Sequence, residues 1–408
     1  MIKELTIKNF RSIREATLQL GRLTVLNGAN NSGKSSVLYA LQVLKNVVTN
    51  PNRSVGELLN LEFLNLGGIE EIEFGKKKNI ETQISIGIYA EKVEDNYANA
   101  TRFSWYYDLM AGAGLSISGI YPFEFGGIIT VSFPYPLNKT EKIRVQKSLI
   151  EGFEWNGLNA TEFYSSGEIE TDLEVGELSE QIELPIFELS HLDVTPTQRG
   201  FTKPIFNQVP MNGTIYTEEE IATHLAIDKA LQAKVAHYFE KITGKRFSVS
   251  MGPGGGFFYL QIREPDTPFT TELVNQGMGV NQILFLLAKI LYDKNHLICI
   301  DEPEIHLHPV LIEQFVRVLV EIAQKENKQF LFSTHSEHWL MSLLAEVYER
   351  HLSADDLKVY FFQKEGMATT VESQKILENG QIEGGLKNFL EAQMSLANRF
   401  FPAETSSA

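Results

Sequence analysis

The feature that most limits how this chain can fold is Gly28-Ala29-Asn30-Asn31-Ser32-Gly33-Lys34-Ser35, a full G-x-x-x-x-G-K-S string. It stands between an apolar run, Leu23–Leu26, and a helix-patterned stretch from Lys34 to about Val48. Two glycines let the backbone curl until successive N–H groups face one point. The helix that follows aims the positive end of its dipole at the same point. Strand, glycine loop and helix in that order make a phosphate cradle. The Lys34 ammonium reaches β- and γ-phosphates, and the Ser35 hydroxyl ligates magnesium. The expected nucleotide contacts around the loop are Asn27, Gly28, Asn30, Asn31, Ser32, Gly33, Lys34, Ser35 and Ser36. An ordinary glycine turn is the alternative, and it does not require the flanking strand and helix.

A second string supplies carboxylates. Leu297-Ile298-Cys299-Ile300 is a continuous apolar run, as in a central parallel strand, and it ends in Asp301-Glu302-Pro303-Glu304. Phosphoryl transfer needs one carboxylate on the metal and another on the attacking water. The order assigns Asp301 to magnesium, with Ser35, and Glu302 to the water. A solvated acidic strand end is the alternative for this string by itself.

Gln329–Ser333 is the next buried strand, followed by Thr334-His335-Ser336. In a parallel sheet its tip opens on the same edge as Asp301. An imidazole there, that of His335, can hydrogen-bond a γ-phosphate. Upstream of the acidic strand, Leu273–Gln282 leads into an apolar helix. Gly277 and Gly279 open a helix N-terminus able to receive a phosphate, although a glycine-rich helix start is by itself usually a turn. His306 and His308 form an H-x-H near His335 in sequence. With His296, Cys299 and His338 they complete no recognisable ligand spacing, so the segment reads as a loop beside the nucleotide site. Cys299 reads as a small buried apolar residue.

Residues 2–8, Ala16–Leu20 and Leu23–Leu26 have the patterning of strands. From about 70 to 185 the texture becomes β-rich, with runs at Thr82–Tyr89, Phe103–Tyr107 and Ile128–Phe133 between Gly, Asn and Pro turns. This reads as an insertion with a loop-like acidic end. Residues 217–242 carry helical spacing. Phe247–Val249 and Phe257–Ile262 read as a hairpin around Gly252–Gly256. Helices follow at about 279–292 and 310–326, and strands at Leu297–Ile300, Gln329–Ser333 and Leu357–Phe362. The alternation after residue 270 predicts a parallel sheet with helices on both faces. The expected division is 1–70 and 186–375 as the two parts of one α/β P-loop head, 71–185 as the insertion, and 376–408 as a helical extension ending in a disordered tail.

Charge limits the partners. The chain of 408 residues has a formal net charge of −16, which disfavours nucleic acid and membranes unless a local basic patch intervenes. The first fifty residues are basic, and Lys76-Lys77-Lys78 could extend a DNA-facing patch, although a Lys triplet is usually an exposed turn. Glu151 to Asp193 has many carboxylates and no Lys or Arg. It could dock a basic protein, or simply be solvated. No apolar run has membrane-spanning length and no h-region follows the N-terminus. One cysteine excludes an internal disulfide framework. A cytoplasmic protein is expected.

The chain resembles the ABC-type ATPase heads of the SMC, RecF and OLD group. The resemblance lies in Asn9-Phe10-Arg11-Ser12, the loop Gly28–Ser35, a signature-like Asn275–Gln282, Asp301-Glu302-Pro303-Glu304-Ile305-His306-Leu307-His308-Pro309 and Ser333-Thr334-His335-Ser336. The D-E-P-E-x-x-L-H-P string is similar to that of OLD-like ATPases found in bacterial defence loci. The resemblance covers roughly 1–70 and 185–400. It implies a homodimer or higher oligomer, with ATP held between Lys34 of one copy and Asn275, Gly277 and Gly279 of the other. Arg11 would lie near the nucleotide, Glu302 would be the general base and His335 the switch. Three departures stand out: Asn275 occupies the usual Ser of the signature, the glutamine loop cannot be placed, and no coiled coil joins the halves. No toprim-like nuclease module follows, so a nuclease effector is expected as a separate protein. The expectation is a magnesium-dependent ATPase whose gated dimer regulates such an effector, in anti-phage defence. A RecF-like DNA repair ATPase is the alternative. A transporter motor subunit fits worst.

Overall fold

A computed structural model describes residues 1–50, 52–76, 82–92, 101–110, 114–119, 123–130, 139–146, 148–165, 172–211 and 217–385. Near-alternating burial, with one three-residue step in each strand, makes the first hairpin. β1 (Glu4–Phe10) buries Leu5, Ile7 and Phe10, and β2 (Ile13–Gln19) buries Ile13, Ala16 and Leu18. The strands pair antiparallel, Leu5 opposite Leu18 and Phe10 opposite Ile13. β3 (Leu23–Gly28) is buried at every position and belongs to a different sheet, and α1 (Lys34–Thr49) follows the glycine loop.

The β-rich middle continues the sheet of the hairpin. β4 (Gln83–Lys92), β5 (Thr101–Met110), β6 (Gly114–Gly119), β7 (Glu124–Ile129), β8 (Glu141–Gln146), β9 (Gly152–Trp155) and β10 (Ala160–Tyr164) follow in sequence. They form one nine-stranded sheet in the order β10-β9-β8-β7-β6-β5-β4-β1-β2. The strand expected at Ile128–Phe133 is β7, four residues earlier at each end; 131–133, like Lys77 and Lys78, lie outside the described residues.

The acidic stretch departs from its expected loop. Its C-terminal part is a helix, α2 (Asp172–Ser190), with Leu178, Ile182 and Leu189 each 0% exposed. Counting charges hides this periodicity: Glu177, Glu180 and Glu183 take the outer face while Leu178, Ile182 and Leu189 recur on the inner one. α2 lies against α1 and against strands of the nine-stranded sheet. Ile182→Ala is expected to lower unfolding free energy by about 2–5 kcal/mol, as for other buried Ile-to-Ala truncations, read from denaturant titration. A cost near zero would mean that α2 is not part of the core.

The remaining strands and longer helices are β11 (Leu192–Thr195), β12 (Phe206–Asn207), α3 (Glu218–Ile227), α4 (Lys229–Thr243), β13 (Arg246–Met251), β14 (Phe257–Arg263), β15 (Thr270–Glu272), α5 (Met278–Ile290), β16 (Leu297–Asp301), α6 (Pro309–Lys325), β17 (Gln329–Thr334), α7 (Glu337–Tyr348), β18 (Leu357–Glu365) and β19 (Ala368–Gln374). The single helical pattern at 217–242 is split in two by Asp228, whose carboxylate accepts from the N–H groups of Ala230 and Leu231 to cap α4. A six-stranded sheet runs β11-β16-β17-β3-β18-β19, parallel except for the edge strand β19. β12 to β15 make a small separate sheet.

Alternation along β16 divides the core. Ile298 and Ile300 face the cluster built on α4 to α7, while Leu297 and Cys299 face the cluster containing α1, α2 and the nine-stranded sheet. Cys299 is the small buried residue expected, and burial pushes its thiol well up. Residues 376–385 form a turn bridged by Ile376 and Ile382 rather than the start of a helix, and 386–408 lie outside the described residues. No helix among the described residues is long and apolar enough to cross a membrane.

Candidate nucleotide site

Three parallel neighbours bring the motifs together. β17 pairs with β3 and with β16, so Asn27 stands opposite Thr334, and Asp301 opposite Ser333. The C-terminal ends of these strands open on one edge, where a doubly wound sheet binds its ligands. The loop 28–35 depends on its glycines. Gly28 has φ +151°, and a Cβ there would lie 2.1 Å from the Phe362 carbonyl oxygen. Gly33 has φ +103°, and its Cβ would meet the Thr369 hydroxyl at 2.5 Å.

Lys34 is 5% exposed, and its ammonium donates to the carbonyls of Gly28 at 2.8 Å and Ala29 at 2.9 Å. Burial lowers its pKa, opposed by Glu302, Asp301 and Glu304. The Ser35 hydroxyl lies 3.1 Å from both Asp301 carboxylate oxygens. A hydroxyl and a carboxylate beside a phosphate cradle are the oxygen donors that magnesium takes. Asn27 Nδ2 and the Ser32 hydroxyl are buried without a protein partner. The donor set therefore fits a nucleoside triphosphate with its metal.

Beyond Asp301 the chain turns sharply. Glu302 has φ +49°, and its N–H donates to the Ser333 carbonyl at 2.7 Å. Its carboxylate meets His335 Nδ1 at 2.5 Å. Burial raises the Glu302 pKa, opposed by Glu304 and Lys34. Glu304 is 8% exposed, and Thr334 donates its hydroxyl to Oε1. Burial first, then Glu302, push Glu304 up to about 7. Glu302, Glu304 and His335 can place ligand atoms within 4.8 Å of one another. His306 and His308 are outside this group: His308 caps α6 through the Val310 N–H, and His306 holds a left-handed turn.

Among the other expected residues, Asn30 and Asn31 are exposed on the loop, and Ser36 is buried at the start of α1. The Arg11 guanidinium stacks over the Tyr39 ring at 5.2 Å, with one terminal nitrogen buried and unpartnered. Asn275 bonds only to Glu272 among the described contacts. Gly277, at the N-cap of α5, is exposed with open space around it; at Gly279 a Cβ would approach the His306 carbonyl at 2.6 Å. No hydrogen bond among the described residues joins 275–279 to the loop 28–35.

Arg199, Tyr39 and Thr369 are site residues that the sequence reading missed. Arg199 donates to the backbone carbonyls of Asp301 and Glu302 at 2.6 Å each. It had a signal, as the first basic residue after the carboxylate-rich stretch 151–193. Tyr39 also had one, four residues after Ser35 and so on the same helix face. Thr369 had none: β19 brings it to the Ser32 carbonyl, 337 residues away in sequence.

The fold and the strand-edge motifs define a P-loop NTPase with a head of the ABC type. Residues 1–165 and 138–340 match the model of the AAA ATPase domain, and the chain belongs to that family. It is 26% identical over 355 residues to an OLD nuclease from Thermus scotoductus, covering 82% of this chain and 59% of that protein. The chain thus spans less than two thirds of that relative. An Smc head solved bound to the C-winged helix domain of ScpA has the same fold, at TM-score 0.50 and 13% identity, covering 91% of this chain and 97% of that one. The SMC head domain from Thermotoga maritima aligns at TM-score 0.45 and 11% identity, over 91% and 98%.

Proposed function

We propose that this protein binds ATP with magnesium and hydrolyses it at a site completed by a second copy, and that the ATP-bound pair regulates a separate effector. The observation that carries the reading is the convergence of Lys34, the Ser35–Asp301 pair and the Glu302–His335 pair on one sheet edge. Lys34 and the N–H groups of residues 28–35 would hold the β- and γ-phosphates. Magnesium, held by Ser35 and Asp301, would offset charge on the phosphate oxygens. Glu302 would orient and deprotonate the attacking water, and His335 would sense the γ-phosphate. Asn27, Ser32, Ser36 and Arg11 would complete the pocket.

The second copy is inferred from what the first leaves outside. The Gly277 helix start points no hydrogen bond at its own loop, and Met278 beside it is 55% exposed. That N-terminus is free to meet a partner's γ-phosphate. For the effector, the likeness to an OLD nuclease suggests a nuclease acting in trans, in anti-phage defence. A head of this fold that binds a winged-helix domain is a precedent for a protein partner. A DNA-repair role has less support, since Lys8 is paired with Glu15 and Lys76 with Glu71.

The test is the solution mass of Glu302→Gln with and without ATP and magnesium. A shift to a larger species on adding ATP, abolished by a further Gly277→Asp, is expected. A mass indifferent to ATP would remove the nucleotide-sandwich reading.

A further inference from the structure

The sharpest unexplained arrangement beside the site is the guanidinium of Arg199. The side chain is 8% exposed. Nη1 donates to Asp301 O at 2.6 Å and to Pro196 O at 2.8 Å, and Nη2 donates to Glu302 O at 2.6 Å. Nε is buried without a partner, so backbone carbonyls alone set the orientation of the fork. Those carbonyls flank Glu302, which holds φ +49°. A left-handed residue that is not glycine is intrinsically disfavoured and persists only where its surroundings over-determine it. The Ser333 carbonyl fixes the N–H side of this turn; Arg199 fixes the carbonyl side.

We infer that Arg199 is a positioning residue for hydrolysis: its planar fork, spanning the Asp301 and Glu302 carbonyls, holds the strand tip in the turn that aims Glu302 at the edge shared with Lys34 and His335. This rests on the hydrolytic reading above. The segment that carries Arg199 is itself fixed to α5. The Phe201 N–H donates to Asn281 Oδ1 at 2.8 Å, and Asn281 Nδ2 donates back to the Phe201 carbonyl at 2.8 Å. Asn281 is 3% exposed. Residues 196–201 therefore form a strap between the acidic strand tip and the helix that begins at Gly277. Lysine can replace the fork only in part, because one ammonium does not present two coplanar donors to adjacent carbonyls.

The experiment compares ATP turnover and ATP affinity in wild type, Glu302→Gln, Arg199→Met and Arg199→Lys. For Arg199→Met, kcat is expected to fall about 10- to 100-fold with the ATP Kd within about threefold of wild type, the signature of misplaced chemistry rather than lost binding. Arg199→Lys should recover part of the rate. A folded Arg199→Met with normal kcat overturns the role, as does a loss in which Kd worsens as much as kcat falls. If Arg199→Met does not fold, Arg199→Lys decides: a lowered kcat at wild-type Kd supports positioning, and a normal kcat overturns it. Turnover lost in Glu302→Gln but kept in Arg199→Met sinks the positioning role alone. Wild-type turnover in Glu302→Gln, or none in wild type, sinks the hydrolytic reading and this role with it.

Discussion

Glu302→Gln is expected to bind ATP normally and to turn it over more slowly by a factor on the order of 10²–10⁴, the usual contribution of a positioned general base. The amide matches the carboxylate in size and leaves the backbone turn at φ +49° in place. It cannot accept a proton. Burial raises the Glu302 pKa above that of an ordinary carboxylate, so the native group is a stronger base than a surface Glu, while Lys34 favours its charged form. The contact with His335 Nδ1 at 2.5 Å is kept if the imidazole donates to the amide oxygen. Phosphate release measures the rate, and titration with a fluorescent nucleotide measures binding. Hydrolysis at the wild-type rate would mean that another group takes the proton, with Glu304 the nearest carboxyl to test.

Lys34→Ala is expected to raise the ATP Kd about 10- to 100-fold, as for the loss of a charged hydrogen-bond donor to phosphate. Lys34 is already desolvated at 5% exposure and already pointed into the loop, donating to Gly28 and Ala29. Little of its freedom remains to be lost when a phosphate replaces those carbonyls. The acidic groups Glu302, Asp301 and Glu304 act against the effect of burial and favour the charged ammonium. Calorimetric titration gives the Kd, and the rise in Tm with added ATP checks it, because a ligand that binds only the folded state stabilises in proportion to its affinity. An unchanged Kd would move the phosphate site away from Gly28–Ser35.

The two variants differ in what they remove. Lys34 acts on the ground state and Glu302 on the reaction. Glu302→Gln should therefore accumulate the ATP-bound assembly, and Lys34→Ala should stay out of it at ATP concentrations that saturate the wild type. This contrast makes the pair useful for finding an effector: a partner that recognises the ATP state should be retained by Glu302→Gln and lost from Lys34→Ala.

Local patterns in the sequence carry the phosphate loop, the acidic strand and the histidine after the next strand, because each is a short string whose chemistry depends on residue type and spacing. Continuous apolar runs at Leu297–Ile300 and Phe330–Phe332 mark strands buried on both faces, which is why a parallel sheet was legible. The helix α2 was not, because its carboxylates are interleaved with its apolar residues in a stretch without Lys or Arg and so read as solvated, while Leu178, Ile182 and Leu189 at helical spacing decide its packing. Nor was the path of β4, which pairs with β1 across more than seventy residues and makes the middle segment one sheet with the N-terminal hairpin. The contacts of Arg199 and Thr369 depend on separations of 102 and 337 residues. By itself the sequence determined which groups are available for phosphate, metal and water, since backbone freedom at Gly28 and Gly33 and the chemistry of Lys34, Asp301 and Glu302 are local properties. Only the tertiary structure decided which groups meet and what holds them: a guanidinium finds two carbonyls, and a hydroxyl a carboxylate, only after the parallel sheet has set β3, β16 and β17 side by side.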